Sequence, residues 1–106
     1  MNTFQNRYDS LESIIFESNL KMVAIDFHQE INTMLVVLNT GSIINSEINI
    51  TDRLKGATIE QLKDYSIIAQ GTGIHWPSLD EDISLKGLLR STIQKQLNSH
   101  RELAVS

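Results

Sequence analysis

The sequence predicts an α+β fold: a small antiparallel meander sheet with a packed central helix, a short N-terminal helix and a C-terminal amphipathic helix. Two segments alternate apolar and polar residues with the period of a strand. Three others repeat apolar residues every three or four positions, as amphipathic helices do. Short turns containing glycine or asparagine follow the strand segments, which is typical of hairpins.

The first fifty residues predict a helix followed by three antiparallel strands. Asp9, with Glu12 three residues later, forms a capping-box-like start for a helix over residues 10–18. The next segments alternate or are apolar throughout, and polar turns separate them. Strands are therefore expected at residues 21–27, 34–38 and 44–50.

The second half predicts a helix, a hairpin and a longer helix. Thr58 and Gln61 form a capping-box pattern for a helix over residues 58–65. Two short strands, residues 66–69 and 74–76, are joined by a turn that contains Gly71 and Gly73. A loop over residues 78–82 then leads to Ser84, the predicted N-cap of a C-terminal helix over residues 84–102.

Length and composition predict one domain over residues 1–106, since no linker or repeat divides the 106-residue chain. The chain has no cysteine, which excludes thiol chemistry. Its longest apolar run is only Met34 to Leu38, so we expect no signal peptide, no membrane span and a cytoplasmic location. The net charge of -4 disfavours long-range attraction to nucleic acid or to an anionic membrane surface. The segment from Leu85 onward, however, is locally basic. It contains four basic residues, Lys86, Arg90, Lys95 and Arg101, and one acidic residue, Glu102.

One cluster carries side chains suited to metal binding or acid–base chemistry: His75, Asp80, Glu81 and Asp82. Its spacing matches no established ligand set. The favoured interpretation is that the acids precede the helix that starts near Ser84, where backbone amides stabilise negative charge. The segment Gly71-Thr72-Gly73 lacks the lysine and hydroxyl pair of a phosphate-binding loop and is interpreted as a turn. We therefore expect no catalytic, metal or cofactor site.

The C-terminal helix carries one apolar stripe, formed by Leu85, Leu88, Leu89, Ile93 and Leu97. Its first half is expected to close the core. Ile93 and Leu97 lie far enough along to project past so small a body, so they predict contact with a partner or a second copy. Trp76 has two interpretations, as a core residue or as a binding anchor. The predicted partner-binding residues are Trp76, Arg90, Ile93 and Leu97.

Several segments together resemble a bacterial family, the domain of unknown function numbered twenty-four forty-two. The resemblance covers about residues 20–90, and its most specific part runs from Gly71-Thr72-Gly73-Ile74-His75-Trp76-Pro77 to Gly87-Leu88-Leu89. It implies an α+β fold with a curled antiparallel sheet and a packed helix, but no activity and no site residues. Such domains look like accessory or regulatory modules, some encoded beside small toxin-like genes. Some append a helix-turn-helix, for which residues 91–106 are too short here.

These observations predict a non-enzymatic protein-interaction or regulatory module, antitoxin-like or an adaptor, that binds a protein partner or itself as a homo-oligomer. The alternative is a DNA-linked transcriptional regulator that uses Lys86, Arg90, Lys95 and Arg101. A third hypothesis is a metal-dependent enzyme that uses His75, Asp80 and Asp82. No cofactor is expected.

Overall fold

The computed structural model describes the backbone of residues 9–105 and the side chains of residues 9–98. The helices are α1 (Ser10–Glu17), α2 (Asp52–Lys55), α3 (Ile59–Lys63) and α4 (Leu85–Val105). The strands are β1 (Met22–His28), β2 (Thr33–Leu38), β3 (Ile43–Glu47), β4 (Ser66–Ile68), β5 (Gly73–Trp76) and β6 (Glu81–Ser84). They form two antiparallel three-stranded sheets, β1-β2-β3 and β4-β5-β6, so the predicted α+β class is confirmed.

The first sheet is a meander in which buried and more exposed side chains alternate along β2 and β3. In the register, Phe27 of β1 lies opposite Met34 of β2, and Val36 of β2 lies opposite Ile44 of β3. Met34, Val36 and Ile44 are buried, as a half-exposed sheet requires.

The third strand is shorter than the sequence predicts, because residues 48–50 form a 3-10 turn instead of continuing β3. The Asn32 side chain ties this turn to the β1–β2 connection: its amide donates to Asn49 Oδ1 at 3.0 Å, and its oxygen accepts from the Asn49 amide at 3.1 Å. Ile48 is buried in the turn, so the apolar spacing that suggested a strand is also satisfied by a turn.

Short helices connect the two sheets, and side-chain caps define where they begin. The Gln61 amide donates to Thr58 Oγ1 and the Thr58 amide donates to Gln61 Oε1, which confirms the predicted capping box of α3. The helix ends at Lys63, two residues earlier than expected. The sequence did not predict α2, whose first turn is capped by Thr51.

The second sheet contains a strand where the sequence predicted a loop. Residues 81–84 form β6 and pair with β5, with Ile83 opposite Ile74 and Glu81 opposite Trp76. The expectation of a loop over residues 78–82 was therefore wrong at its end. In β6, Asp82 lies on the exposed face while Ile83 is buried.

The two sheets and the first turns of α4 enclose one hydrophobic core. Ser84 caps α4 as predicted, accepting a hydrogen bond from the Gly87 amide at 2.9 Å. Leu85 and Leu88 of α4 are fully buried. The core is completed by residues from both sheets, from α1 to α3 and from the turns between them: Ile15, Met22, Met34, Val36, Leu38, Ile44, Ile48, Leu54, Ala57, Leu62, Ile74, Trp76 and Ile83.

Candidate interaction site

Trp76 lies in the core and not on a binding surface. Its side chain is 0% exposed, and its indole Nε1 donates to the Leu62 carbonyl at 2.9 Å. A fully buried indole has no face left for a partner, so Trp76 is removed from the predicted partner-binding residues. The core interpretation of this residue is the one that the structure supports.

His75 and Asp82 form a pair across the second sheet. They are opposite each other on β5 and β6, and His75 Nδ1 lies 2.5 Å from Asp82 Oδ1. Asp80 is directed elsewhere, with its Oδ2 3.4 Å from a guanidinium nitrogen of Arg53. Within residues 9–98, no group of three histidine, cysteine or acidic side chains is placed to hold a metal ion.

The acidic residues before α4 do not lie at its N-terminus as the sequence suggested. Asp80 belongs to the turn after Pro77, and Glu81 and Asp82 belong to β6. The Arg53 guanidinium also donates to the carbonyls of Leu79 and Asp80, at 3.1 and 2.6 Å, and so fastens this turn to α2. The acids therefore shape a hairpin, and Ser84 alone supplies the side-chain cap of the helix.

The C-terminal part of α4 leaves the core after its second turn. Every described side chain from Ile93 to Asn98 is exposed. Two of them are large and apolar: Ile93 is 46% exposed and Leu97 is 60% exposed. Because they are four residues apart, they lie on the same side of the helix. We call these two residues the α4 stripe.

Ion pairs join the base of α4 to α1. Lys86 Nζ lies 2.7 Å from Asp9 Oδ2 and also bonds to the Glu12 carboxylate. Arg90 lies 3.4 Å from the same Asp9 oxygen. The hydrogen bond from Lys86 lowers the pKa of Asp9, assisted by the Glu12 amide, and the Asp9 and Glu12 carboxylates in turn raise the pKa of Lys86. We call the set Asp9, Glu12 and Lys86 the α1–α4 lock.

The predicted basic surface is largely neutralised where the structure describes it. Lys86 and Arg90 pair with acids of α1 and its N-cap, and Lys95 lies 3.3 Å from the Glu47 carboxylate of β3. The Arg101 side chain lies outside the described residues. Three of the four cations therefore already have acidic partners within the chain.

Two cavities open beside α4, and sequence reasoning anticipated neither. One, of about 440 Å³, lies between β3 and α4 and is lined mostly by polar side chains, among them Asn45, Thr92 and Lys95. The other, of about 470 Å³, lies between α1, the turn before β5 and the start of α4. We call the second one the α1 cleft. Its walls come from residues 12–21 and 69–86, which are distant in the sequence, so no local motif indicates it.

No membrane-spanning element is found in the described part of the chain. Between residues 9 and 105, each helix falls short of the length or the hydropathy that crossing a bilayer requires.

The fold and the exposed end of α4 define a small α+β domain, in which two three-stranded antiparallel sheets are closed by a long terminal helix. The family described as "Protein of unknown function (DUF2442)" matches residues 22–94. The chain belongs to this family, and the resemblance noted in the sequence is confirmed. The α4 stripe begins within the matched region and continues beyond its end, since Ile93 lies inside it and Leu97 outside.

Two solved structures are similar to this chain. A protein of unknown function from Rhodospirillum rubrum is 29% identical, with a TM-score of 0.61 over 68% of this chain and 87% of that one. An uncharacterized protein from Chromobacterium violaceum is 24% identical, with a TM-score of 0.64 over 87% of this chain and 84% of that one. The second likeness concerns the fold alone. No curated protein matches the chain.

Proposed function

We propose that the protein is a non-enzymatic interaction module that docks the C-terminal part of α4 into an apolar groove on a protein partner. The observation that carries this proposal is the α4 stripe, two large apolar side chains exposed on one side of a helix. Anchors spaced four residues apart on one helical face are typical of helix-in-groove recognition.

The α4 stripe contributes little to the protein's own fold but offers binding energy. Burying a leucine or isoleucine side chain fully is worth about 1.5–3 kcal/mol, and much of that remains unused while Ile93 and Leu97 face solvent. The neighbouring Gln94, Gln96 and Asn98 are uncharged, and residues 85–98 contain no acid. A partner groove that is apolar with a neutral or acidic rim complements this helix best.

The absence of catalysis is part of the proposal. A general base needs an orienting partner and a site where a substrate atom lies within reach. The pair His75–Asp82 supplies a base and a partner, but Asp80, the third residue of the metal-enzyme hypothesis, is held by Arg53. The pair is better explained as a contact across the β5–β6 hairpin.

DNA binding through the basic helix is the weaker alternative. The cations Lys86, Arg90 and Lys95 each face an acid of the same chain, so phosphate groups would have to compete for them. Affinity for DNA rests on protein cations that are free to neutralise phosphates, because this releases the counterions condensed on the DNA. Antitoxin-like and adaptor roles, and the cytoplasmic location, are compatible with an interaction module and remain predictions.

The test compares capture of partners from the native cell by the unaltered protein and by the double variant Ile93→Gln, Leu97→Gln. Glutamine favours helix as leucine does, so the variant changes the apolar surface and leaves the helix intact. We expect a specific protein to be captured by the unaltered chain and lost from the double variant.

The matched control is Ile31→Gln, which alters an isoleucine that is 66% exposed in the β1–β2 connection. This variant should capture the same partner as the unaltered chain. Equal capture by the double variant would contradict the proposal. Light scattering distinguishes a separate partner from a second copy of this chain. If the unaltered chain has twice the monomer mass and the double variant has the monomer mass, the α4 stripe binds a second copy, which would also contradict the proposal of a separate partner.

A further inference from the structure

The two outer edges of the first sheet differ in how they are covered. β1 and β3 are the edge strands, with β2 between them. On β1, the Ile25 amide donates to the Tyr65 hydroxyl at 3.2 Å, so a side chain from outside the sheet satisfies this edge. An edge strand without such cover presents free amides and carbonyls to which another strand can pair.

The hydrogen bonds at the two ends of the β2–β3 pair show which backbone groups of β3 face outward. The Leu38 amide donates to the Ser42 carbonyl at 2.9 Å, and the Ile48 amide donates to the Asn32 carbonyl at 3.1 Å. In an antiparallel pair, residues that bond to the neighbouring strand alternate with residues that do not. Counted between these two ends, three residues of β3 direct their amides and carbonyls away from β2: Ile43, Asn45 and Glu47.

These outward groups are largely unpaired. Within the described residues, the one that takes part in a hydrogen bond is the Glu47 carbonyl, which accepts from the Ser46 hydroxyl at 3.3 Å. Three amides and two carbonyls remain for an incoming strand. All three residues are exposed, so water can satisfy these groups until a strand replaces it.

α4 turns this open edge into a groove. The cavity of about 440 Å³ between β3 and α4 is bounded on one side by Asn45, Ser46 and Glu47. We call it the β3 groove. On the other side lies one face of α4, formed by Ser91, Thr92, Gln94, Lys95 and Asn98. A segment that pairs with β3 would therefore have its backbone held by the strand and its side chains placed against the helix.

The β3 groove is polar, but its described lining carries no unpaired charge. Its two ionic side chains, Glu47 and Lys95, lie 3.3 Å apart and compensate each other. The other α4 side chains that line it are hydroxyls and carboxamides, which can both donate and accept hydrogen bonds. A charged side chain would find a partner here only by breaking the ion pair. The lining therefore complements an uncharged polar segment.

We propose that the β3 groove binds an extended, uncharged polar peptide segment of a partner protein, which adds to β3 as a fourth antiparallel strand. In such strand addition, backbone hydrogen bonds supply affinity and alternate side chains supply specificity. The antiparallel direction follows from its slightly greater stability. The groove uses a different face of α4 from the α4 stripe, since neither Ile93 nor Leu97 lines it, and the proposal does not depend on docking of that stripe.

The test titrates the full chain with a capped five-residue peptide of alternating threonine and glutamine, beginning with threonine. Backbone amide shifts are followed by nuclear magnetic resonance. When all three outward residues of β3 are paired, the threonine amides face β3 and the glutamine side chains lie on the face of Ile44 and Ser46. We expect saturable shifts confined to residues 43–50 and 91–98.

Methylated peptides distinguish strand addition from other modes of binding. N-methylation of the three threonines removes the amides that face β3 and should abolish binding. N-methylation of the two glutamines alters amides that face away from β3 and should leave binding in place. Peptides with glutamate or lysine instead of glutamine should bind more weakly than the uncharged peptide, because the groove offers no unpaired charge.

Asn45→Pro tests the same edge from the side of the protein. Proline is tolerated where the amide of an edge strand faces solvent, so this variant removes one outward amide and keeps the bonds between β2 and β3. It should weaken peptide binding about fivefold, the value of one hydrogen bond. Asn45→Ala is the matched control, since it keeps the amide, and it should bind the peptide more tightly than Asn45→Pro.

Several outcomes would overturn the proposal. They are the absence of saturable shifts at the β3 groove, equal effects of the two methylation patterns, equal binding of the charged peptides, and equal binding by the two Asn45 variants. Light scattering without peptide tests whether the edge pairs with a second copy. If the unaltered chain has twice the monomer mass and Asn45→Pro has the monomer mass, a second copy occupies the edge, which would also overturn the proposal.

Discussion

Trp76 connects parts of the core that are distant in the sequence. Its ring is fully buried in β5, and its indole nitrogen reaches the Leu62 carbonyl at the end of α3. The side chain therefore contributes both apolar burial and a buried hydrogen bond. A buried carbonyl that loses its donor is left unsatisfied, which is more damaging than the loss of contact area alone.

Replacing Trp76 by phenylalanine tests this double role. The variant Trp76→Phe keeps an aromatic ring but leaves a cavity and an unpaired Leu62 carbonyl, so the free energy of unfolding should fall by about 2–3 kcal/mol. Urea unfolding followed by circular dichroism measures the change. A loss below about 0.5 kcal/mol, the usual size of a surface effect, would show that the indole is not anchored as described.

Substitutions at two glycines allow the cost of backbone strain to be measured apart from the cost of steric contact. Gly41 and Gly71 have nearly equal φ angles, +90° and +89°, but a Cβ at Gly41 meets nothing within 4 Å, while one at Gly71 meets the Lys21 side chain. Gly41→Ala should therefore lower the free energy of unfolding by about 1 kcal/mol, and Gly71→Ala by about 2–4 kcal/mol. Equal losses in thermal or urea unfolding would contradict the close approach of Gly71 to Lys21.

Single residues also mark the limits of what the sequence predicts. Asp9 and Ser84 act as the N-caps that local sequence indicated, because a cap depends on residues three positions away. The burial of Trp76 depends on residues distant in sequence, such as Leu62. Local patterns therefore left Trp76 open between core and surface.

The contact between α1 and α4 depends on charged groups that titrate. The pKa of Asp9 is lowered by Lys86, so the α1–α4 lock stabilises the folded chain near neutral pH and is lost as the pH falls through that lowered value. The pKa of Lys86 is raised, so its share persists through the alkaline range below its ordinary value of 10.5 and is lost above it.

Removing Lys86 should abolish this part of the pH dependence. We expect Lys86→Met to melt at a lower temperature than the unaltered chain at about pH 7, and the difference to narrow as the pH falls through the lowered pKa of Asp9 and that carboxylate becomes protonated. Thermal unfolding across this pH range, with Lys63→Met as control, measures the difference in melting temperature between the variant and the unaltered chain. A difference that stays constant with pH would contradict the α1–α4 lock.

Elements with a strong local pattern were predicted well, and those defined by pairing were not. Alternating apolar residues predicted β1 and an apolar run predicted β2. The predicted and observed ends of β2 are both at Leu38. β6 has four residues, of which only Ile83 is apolar, so its strand character comes from pairing with β5. α2 spans four residues and carries too little periodicity to be recognised.

For the molecule as a whole, the account divides α4 into two parts with different roles. Its first turns complete the core through Leu85 and Leu88. The part from Ile93 to Val105 extends for about 20 Å at the usual helical rise, and its described apolar side chains face solvent. Periodicity predicted this extension, although it could not identify what the extension contacts.

The second part of α4 should therefore be dispensable for stability. The double variant Ile93→Gln, Leu97→Gln should change the free energy of unfolding by no more than about 0.5 kcal/mol, as expected for exposed positions. Urea unfolding of the variant beside the unaltered chain measures this. A loss of several kcal/mol would mean that the two side chains belong to the protein's own core.

The most direct test of the interaction role is photo-crosslinking in the native cell. A photo-reactive amino acid placed at the position of Leu97, and in a second strain at that of Ile31, reports which proteins lie within bonding distance of each site. The account predicts a specific crosslinked protein at Leu97 that is missing at Ile31. The same crosslinked proteins from both positions, or none from Leu97, would contradict it.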